Sequence, residues 1–108
     1  MGDLLAFKKD IIKEFGTPCA VVDLNVLEEN INRVQKLCDK AGVSNRPHIK
    51  THKSGEIARM QVNAGASGVT CQKLGEAEVM AAAGIKDCLL YTSPSPRDAT
   101  LSRMPSSA

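Results

Sequence analysis

The stretch Arg46-Pro47-His48-Ile49-Lys50-Thr51-His52-Lys53 decides how the chain folds. Pro47 has no N–H and drives Arg46 toward extended geometry, so the segment reads as a short strand and not as a helix. Side chains alternate along a strand. Arg46, His48, Lys50 and His52 then share one basic, polar face, while Pro47, Ile49 and Thr51 share a mostly apolar one. Such a strand packs its apolar side under helices and turns its polar side into a ligand site. A lysine held there, with cationic neighbours and little water, has its ammonium form disfavoured. Its free amine can attack a carbonyl and form a Schiff base. The same pattern also fits a basic strand end exposed to solvent, where most lysines lie.

The flanking sequence repeats one theme. Cys19-Ala20-Val21-Val22-Asp23 is an apolar run of the length of a buried parallel strand. Asn25 and Glu28 are spaced as a helix N-cap and its partner. Leu27, Ile31, Val34, Leu37, Cys38 and Ala41 follow at helical spacing, and Gly42 is a C-terminal stop. Ser54 can cap a helix running to about Ala64, with Ile57, Met60, Gln61 and Ala64 in step and Gly65 at its end. Gly68 to Gln72 reads as a strand and Gly75 to Ala83 as a helix closed by Gly84. Ile85-Lys86-Asp87 leads toward one more strand. Upstream, Leu4, Leu5, Ile11, Ile12 and Phe15 lie among lysines and acids, an amphipathic leader helix ended by Gly16-Thr17-Pro18.

Strand and helix alternating at steps of about 20–28 residues define the α/β class with parallel β/α units. An open doubly wound sheet and a closed eight-unit barrel both fit. Neither GxGxxG nor GxxxxGK[ST] occurs, which lowers a nucleotide-binding reading. A barrel needs roughly 250 residues. The 108 residues here hold about three and a half units.

Composition adds mostly exclusions. Net charge is +2, with no basic stripe for nucleic acid. No apolar run is long enough to span a bilayer, and the charges at Asp3, Lys8, Lys9, Asp10 and Lys13 break any signal-peptide core. The four cysteines at 19, 38, 71 and 88 form no CxxC pair, so free thiols in a reducing, cytoplasmic setting are expected. From Cys88 onward prolines and serines replace the periodicity. Cys88 to Asp98 resembles the translation of a transposase sequencing adapter, and Ser102 to Ala108 that of the adjoining flow-cell primer. Residues 88–108 are therefore expected to be a non-native, disordered tail, although Cys88-Leu89-Leu90-Tyr91 is apolar where a fourth strand would stand.

Three segments carry a family likeness: Thr17-Pro18 ahead of the run ending at Asp23; the Arg46–Lys53 motif; and Cys71-Gln72-Lys73-Leu74-Gly75-Glu76-Ala77-Glu78-Val79-Met80. They resemble the start of D-threonine aldolases and D-serine dehydratase-like proteins, pyridoxal-phosphate enzymes with an alanine-racemase-like barrel. The likeness runs through residues 16–87, and its third segment is more similar to the aldolase branch. It implies the N-terminal fragment of a parallel (β/α)8 TIM-type barrel, with a leader helix over 1–15, a partial barrel over 16–87 and the tail beyond.

The resemblance also implies a chemistry. Lys50 matches the lysine that carries pyridoxal 5'-phosphate as an internal aldimine. His48 and His52, flanking it, are candidate cofactor contacts. Two histidines around a lysine make a poor metal site, so no metal ligand is assigned in this chain. The divalent metal expected in the full-length protein, most phosphate contacts and a second, β-rich domain belong to later sequence.

The expected activity is that of a lyase acting on small D-β-hydroxy amino acids, foremost a D-threonine aldolase yielding glycine and an aldehyde. A D-serine dehydratase or a non-catalytic pyridoxal-phosphate-binding barrel are the alternatives. No nucleic-acid or membrane partner is expected, and a homodimer of the full-length protein is compatible with the likeness. Residues 1–108 alone are expected to be inactive and to aggregate or stay partly unfolded, because open strand edges remain. Among the other residues, Arg46 is expected to be structural, Lys53 solvated or a weak anion contact at the Ser54 helix start, Cys71 a small core residue, Asp23 a cap or turn residue, and Glu76 and Glu78 helix-stabilising carboxylates.

Overall fold

Apolar residues at helical spacing wind Leu24–Ala41 into α2 of the computed structural model, which describes residues 2–91. Before it, Gly2–Phe15 forms α1, whose Leu4, Leu5, Phe7, Ile12 and Phe15 are all exposed. Asp23 is the N-cap of α2, its Oδ1 accepting from the Asn25 and Val26 amides at 3.0 and 3.3 Å. The cap thus lies two residues before Asn25, the residue that the sequence pattern favoured. The Asp23 carboxylate meets two free amides at once and suits the positive helix end. Gly42 closes α2 at φ 72°, a left-handed position that glycine takes without penalty.

The chain then runs extended to Ile49. Thr70 N donates to Pro47 O at 2.8 Å and Ile49 N to Thr70 O at 3.0 Å, so His48 pairs with Thr70 in parallel. The strand expected through His52 stops here. Lys50–His52 is a turn, closed by Lys53 N donating to Ile49 O at 2.8 Å, with Lys53 at φ 52°. The cause lies downstream. Helix α3 (Gly55–Asn63) begins directly after Ser54, whose Oγ accepts from Ile57 N at 3.2 Å, and the chain must reverse to enter it. The alternation that would put His52 on one face with His48 and Lys50 is therefore interrupted.

Strand β1 (Val69–Cys71), helix α4 (Leu74–Ala82) and strand β2 (Cys88–Leu90) complete the fold. The strands pair in parallel with Val69 opposite Cys88 and Cys71 opposite Leu90. Space therefore orders them His48, β1, β2, with α3 and α4 as crossovers, which is the β/α repeat read from the sequence. Ile49, Val69 and Cys71 point to the helix side and pack with Ala58, Met80 and Ile85 in one buried cluster. His48 and Thr70 sit on the opposite, inner face of the parallel strands, as alternation requires. Cys71 is the core residue expected, and burial pushes its thiol up from the ordinary range.

The strand expected over Cys19–Asp23 does not form. Cys19–Val22 is exposed and pairs with no other strand among the described residues. An apolar run becomes a strand only where an edge accepts it. Cys88–Leu90, the apolar stretch that stands where a fourth strand was expected, forms β2. The expected tail from residue 92 on lies outside the described residues.

Arg46 is structural, as expected. Its Nη1 and Nη2 donate to Asp87 Oδ1 and Oδ2 at 2.8 and 2.9 Å, a bidentate pair that ties the strand entry to the loop before β2. The pair holds the Asp87 carboxyl below the usual carboxylate range, against the effect of burial. Gly68 lies beneath it: a Cβ there would stand 2.3 Å from Asp87 O and 2.8 Å from Arg46 Nη1. Gly68→Ala is expected to destabilise the full-length protein by about 1–3 kcal/mol, because backbone must move to admit the methyl. A urea midpoint equal to that of the unmodified protein would contradict this packing.

Candidate active site

The turn that ends the first paired segment holds Lys50 at its start, and the residue is exposed. Its backbone is fixed on both sides. Lys50 N donates to His48 Nδ1 at 3.1 Å, and Lys50 O accepts from Lys53 Nζ. Lys53 Nζ also lies 3.8 Å from Glu76 Oε2, whose side chain is buried. Glu76 Oε1 in turn accepts from the Gln72 and Lys73 amides at 2.8 and 3.3 Å. One carboxylate thus joins the β1–α4 turn to the Lys50 turn. The Gln72 amide, followed by the Lys73 amide and the charge of Lys53, holds the Glu76 carboxyl below its usual range although burial opposes it.

Glu76 does stabilise the start of α4, as its position predicts, but it also reaches across to Lys53. Sequence reasoning missed that second contact. Its only local signal was a glutamate three residues after the helix N-cap, and the cap here is Lys73 instead of the serine or threonine of the usual motif. Lys53, expected to be solvated, is exposed yet tethered at its ammonium.

His48 and His52 part company. His48 lies against Lys50. His52 serves helix α3: its Nδ1 accepts from Ser54 N at 2.9 Å, and its Nε2 lies 3.3 Å from Gln61 Oε1. With Nδ1 accepting, Nε2 carries the proton and donates to Gln61, which defines a neutral imidazole. Burial lowers the His52 pKa, opposed by the Gln61 bond.

The sign follows from linkage. A base whose folded pKa is depressed contributes stability above its unfolded value of 6.5, and that stability falls as pH drops through the folded value. The full-length protein is expected to lose stability as pH falls below 6.5, and His52→Asn, which keeps an acceptor but does not titrate, is expected to flatten that slope. Equal slopes in thermal melts across that range would contradict the assignment.

Among the described residues the His48 segment, β1 and β2 form this sheet, and the Lys50 side chain is exposed. Among the described residues, no three His, Cys, Asp or Glu side chains come together as a metal-binding group. All four cysteines are free thiols, and no described helix is long and apolar enough to cross a membrane.

Parallel strands joined by helices, with an exposed lysine on the turn after the first paired segment, define a run of β/α units. Residues 22–105 match the family described as alanine racemase, N-terminal domain. The chain belongs to that family, whose fold is the TIM barrel. It is 46% identical over 88 residues to the D-threo-3-hydroxyaspartate dehydratase of Delftia sp. (strain HT23), covering 82% of this chain and 23% of that protein. It is 44% identical over 78 residues to the 3-hydroxy-D-aspartate aldolase of Paracoccus denitrificans (strain Pd 1222), covering 71% of this chain and 20% of that protein. The crystal structure of D-threonine aldolase from Filomicrobium marinum matches with a TM-score of 0.68 and 41% identity, over 75% of this chain and 22% of that one. The chain thus spans about a fifth to a quarter of the length of these relatives.

Proposed function

We propose that the full-length protein is a pyridoxal-phosphate-dependent lyase of D-β-hydroxy amino acids, and that Lys50 holds the cofactor. The observation that carries this reading is the exposed Lys50 amine on a turn whose backbone is bonded at both N–H and C=O. It stands in a chain similar to proteins named as D-threonine aldolase, 3-hydroxy-D-aspartate aldolase and D-threo-3-hydroxyaspartate dehydratase.

The residues present fit the aldehyde end of such a cofactor. Lys50 supplies a primary amine on a flexible stem, and its fixed backbone limits where that amine can reach. When bound, the cofactor supplies an electron sink for charge developing at the substrate Cα. Lys50 Nζ would hold it, as a primary amine able to condense with its aldehyde. His48, whose Nδ1 accepts from Lys50 N, would contact the cofactor beside that amine. His52 contributes by holding the turn against α3. The divalent metal that would polarise the β-hydroxyl is assigned to ligands in later sequence.

Cleavage of Cα–Cβ, with loss of the hydroxyl proton, gives glycine and an aldehyde, and D-threonine is the first substrate to test. Dehydration is the second reading, favoured by the 46% identity to a dehydratase; there the β-hydroxyl leaves as water. Assays of the full-length protein distinguish them. Acetaldehyde from D-threonine supports the aldolase, and ammonia from D-threo-3-hydroxyaspartate or D-serine supports the dehydratase. Cofactor binding without turnover of any D-β-hydroxy amino acid would overturn the lyase reading and leave a binding barrel.

A further inference from the structure

We propose that Glu76 is a positioning residue for Lys50, acting through Lys53. This deepens the preceding reading and rests on it.

Five contacts carry the inference. Lys53 is bound to the Lys50 turn twice, by its backbone N to Ile49 O at 2.8 Å and by its Nζ to Lys50 O. That ammonium is the only cation in an ion pair with Glu76 among the described residues, at 3.8 Å. Glu76 is itself immobilised by the Gln72 and Lys73 amides and by burial of its side chain. The anchored carboxylate therefore fixes an exposed ammonium, which fixes the carbonyl of the cofactor-holding residue. A lysine elsewhere on the surface would spend its time in many rotamers. Here the charge pair selects the one that closes the turn. Lys53 also stands at φ 52°, a conformation a non-glycine residue adopts only when its surroundings define it. The tie links β1 and α4 to the preceding β/α unit, so the reach of the Lys50 amine is set partly from the neighbouring unit.

Glutamine at position 76 separates this role from helix stabilisation. Its amide oxygen can still accept from Gln72 N and Lys73 N, while the charge that holds Lys53 is lost. Three full-length variants make the test: Glu76→Gln, Lys53→Met and the double variant. The exposed Lys53 side chain can be replaced without opening the core, so Lys53→Met keeps the test available if Glu76→Gln folds poorly. Two measurements are made on apo-protein: titration with pyridoxal 5'-phosphate followed by visible absorbance, and amide hydrogen exchange at Lys53.

Each single variant is expected to weaken cofactor affinity about three- to tenfold, as loss of one charge-assisted contact would. The Lys53 amide is expected to exchange faster in each. The double variant is expected to be no worse than Lys53→Met alone, because both changes break one chain of contacts, and Lys53→Arg is expected to restore most of the affinity. Additive losses, or affinities within twofold of the unmodified protein, would overturn the positioning role. If the unmodified apo-protein takes up no pyridoxal phosphate, the assignment of Lys50 itself falls, and this inference with it.

Discussion

Lys50→Ala in the full-length protein is expected to remove the covalently held cofactor and to reduce turnover of any D-β-hydroxy amino acid by at least about 10³-fold. The argument begins with reach. Lys50 starts the turn after the paired segment Pro47–Ile49, and its backbone is bonded to His48 and Lys53. Alanine keeps the backbone N–H and C=O, so both bonds survive and the turn stays. Only the amine is lost. The circular dichroism and the thermal midpoint of the apo-protein should therefore change little, because an exposed side chain contributes little to stability. An added primary amine is expected to restore part of the turnover. A Lys50→Ala protein that kept both visible absorbance and turnover would show that another group holds the cofactor.

Ile49→Ala is expected to destabilise the full-length protein by about 2–5 kcal/mol, the range for truncating a buried aliphatic side chain to alanine. Ile49 is fully buried and shares one cluster with Ala58, Val69, Cys71 and Met80. Its N–H donates to Thr70 O, and its C=O accepts from Lys53 N. The side chain fixes the strand to the helices, while the backbone fixes the turn that carries Lys50. A cavity here lies one residue from the amine, so cofactor affinity is expected to fall together with the urea midpoint. An unchanged midpoint would mean that the helices do not cover this face.

The punctuation of the chain was legible from sequence because it is local. Pro47 set the extended segment, Ser54 capped α3, and Gly42, Gly65 and Gly84 stand at helix ends with positive φ. Alternation put Ile49 on the buried side and His48 on the other, and both stand so. What failed depended on neighbours. A period of two carried the strand through His52, but the helix entered at Ser54 required a turn and used the His52 ring to start itself. Helical spacing put Val34 and Leu37 on the packed stripe of α2, yet both are exposed, and Gln35 is the buried residue, bonded to Asp39 and Asn45. The Glu76–Lys53 pair joins residues 23 positions apart, which no local pattern encodes. Local pattern thus led to Lys50 and His48 as candidates, while the contacts around them, which join distant residues, were unreadable.

Borohydride reduction of the full-length holoprotein, followed by proteolysis and peptide mass mapping, tests the central claim most directly. The reduced cofactor is expected on the peptide containing Lys50 and on that residue alone. Label on Lys53, on Lys73 or on a lysine outside the Arg46–Lys53 motif, with Lys50 unmodified, would contradict it.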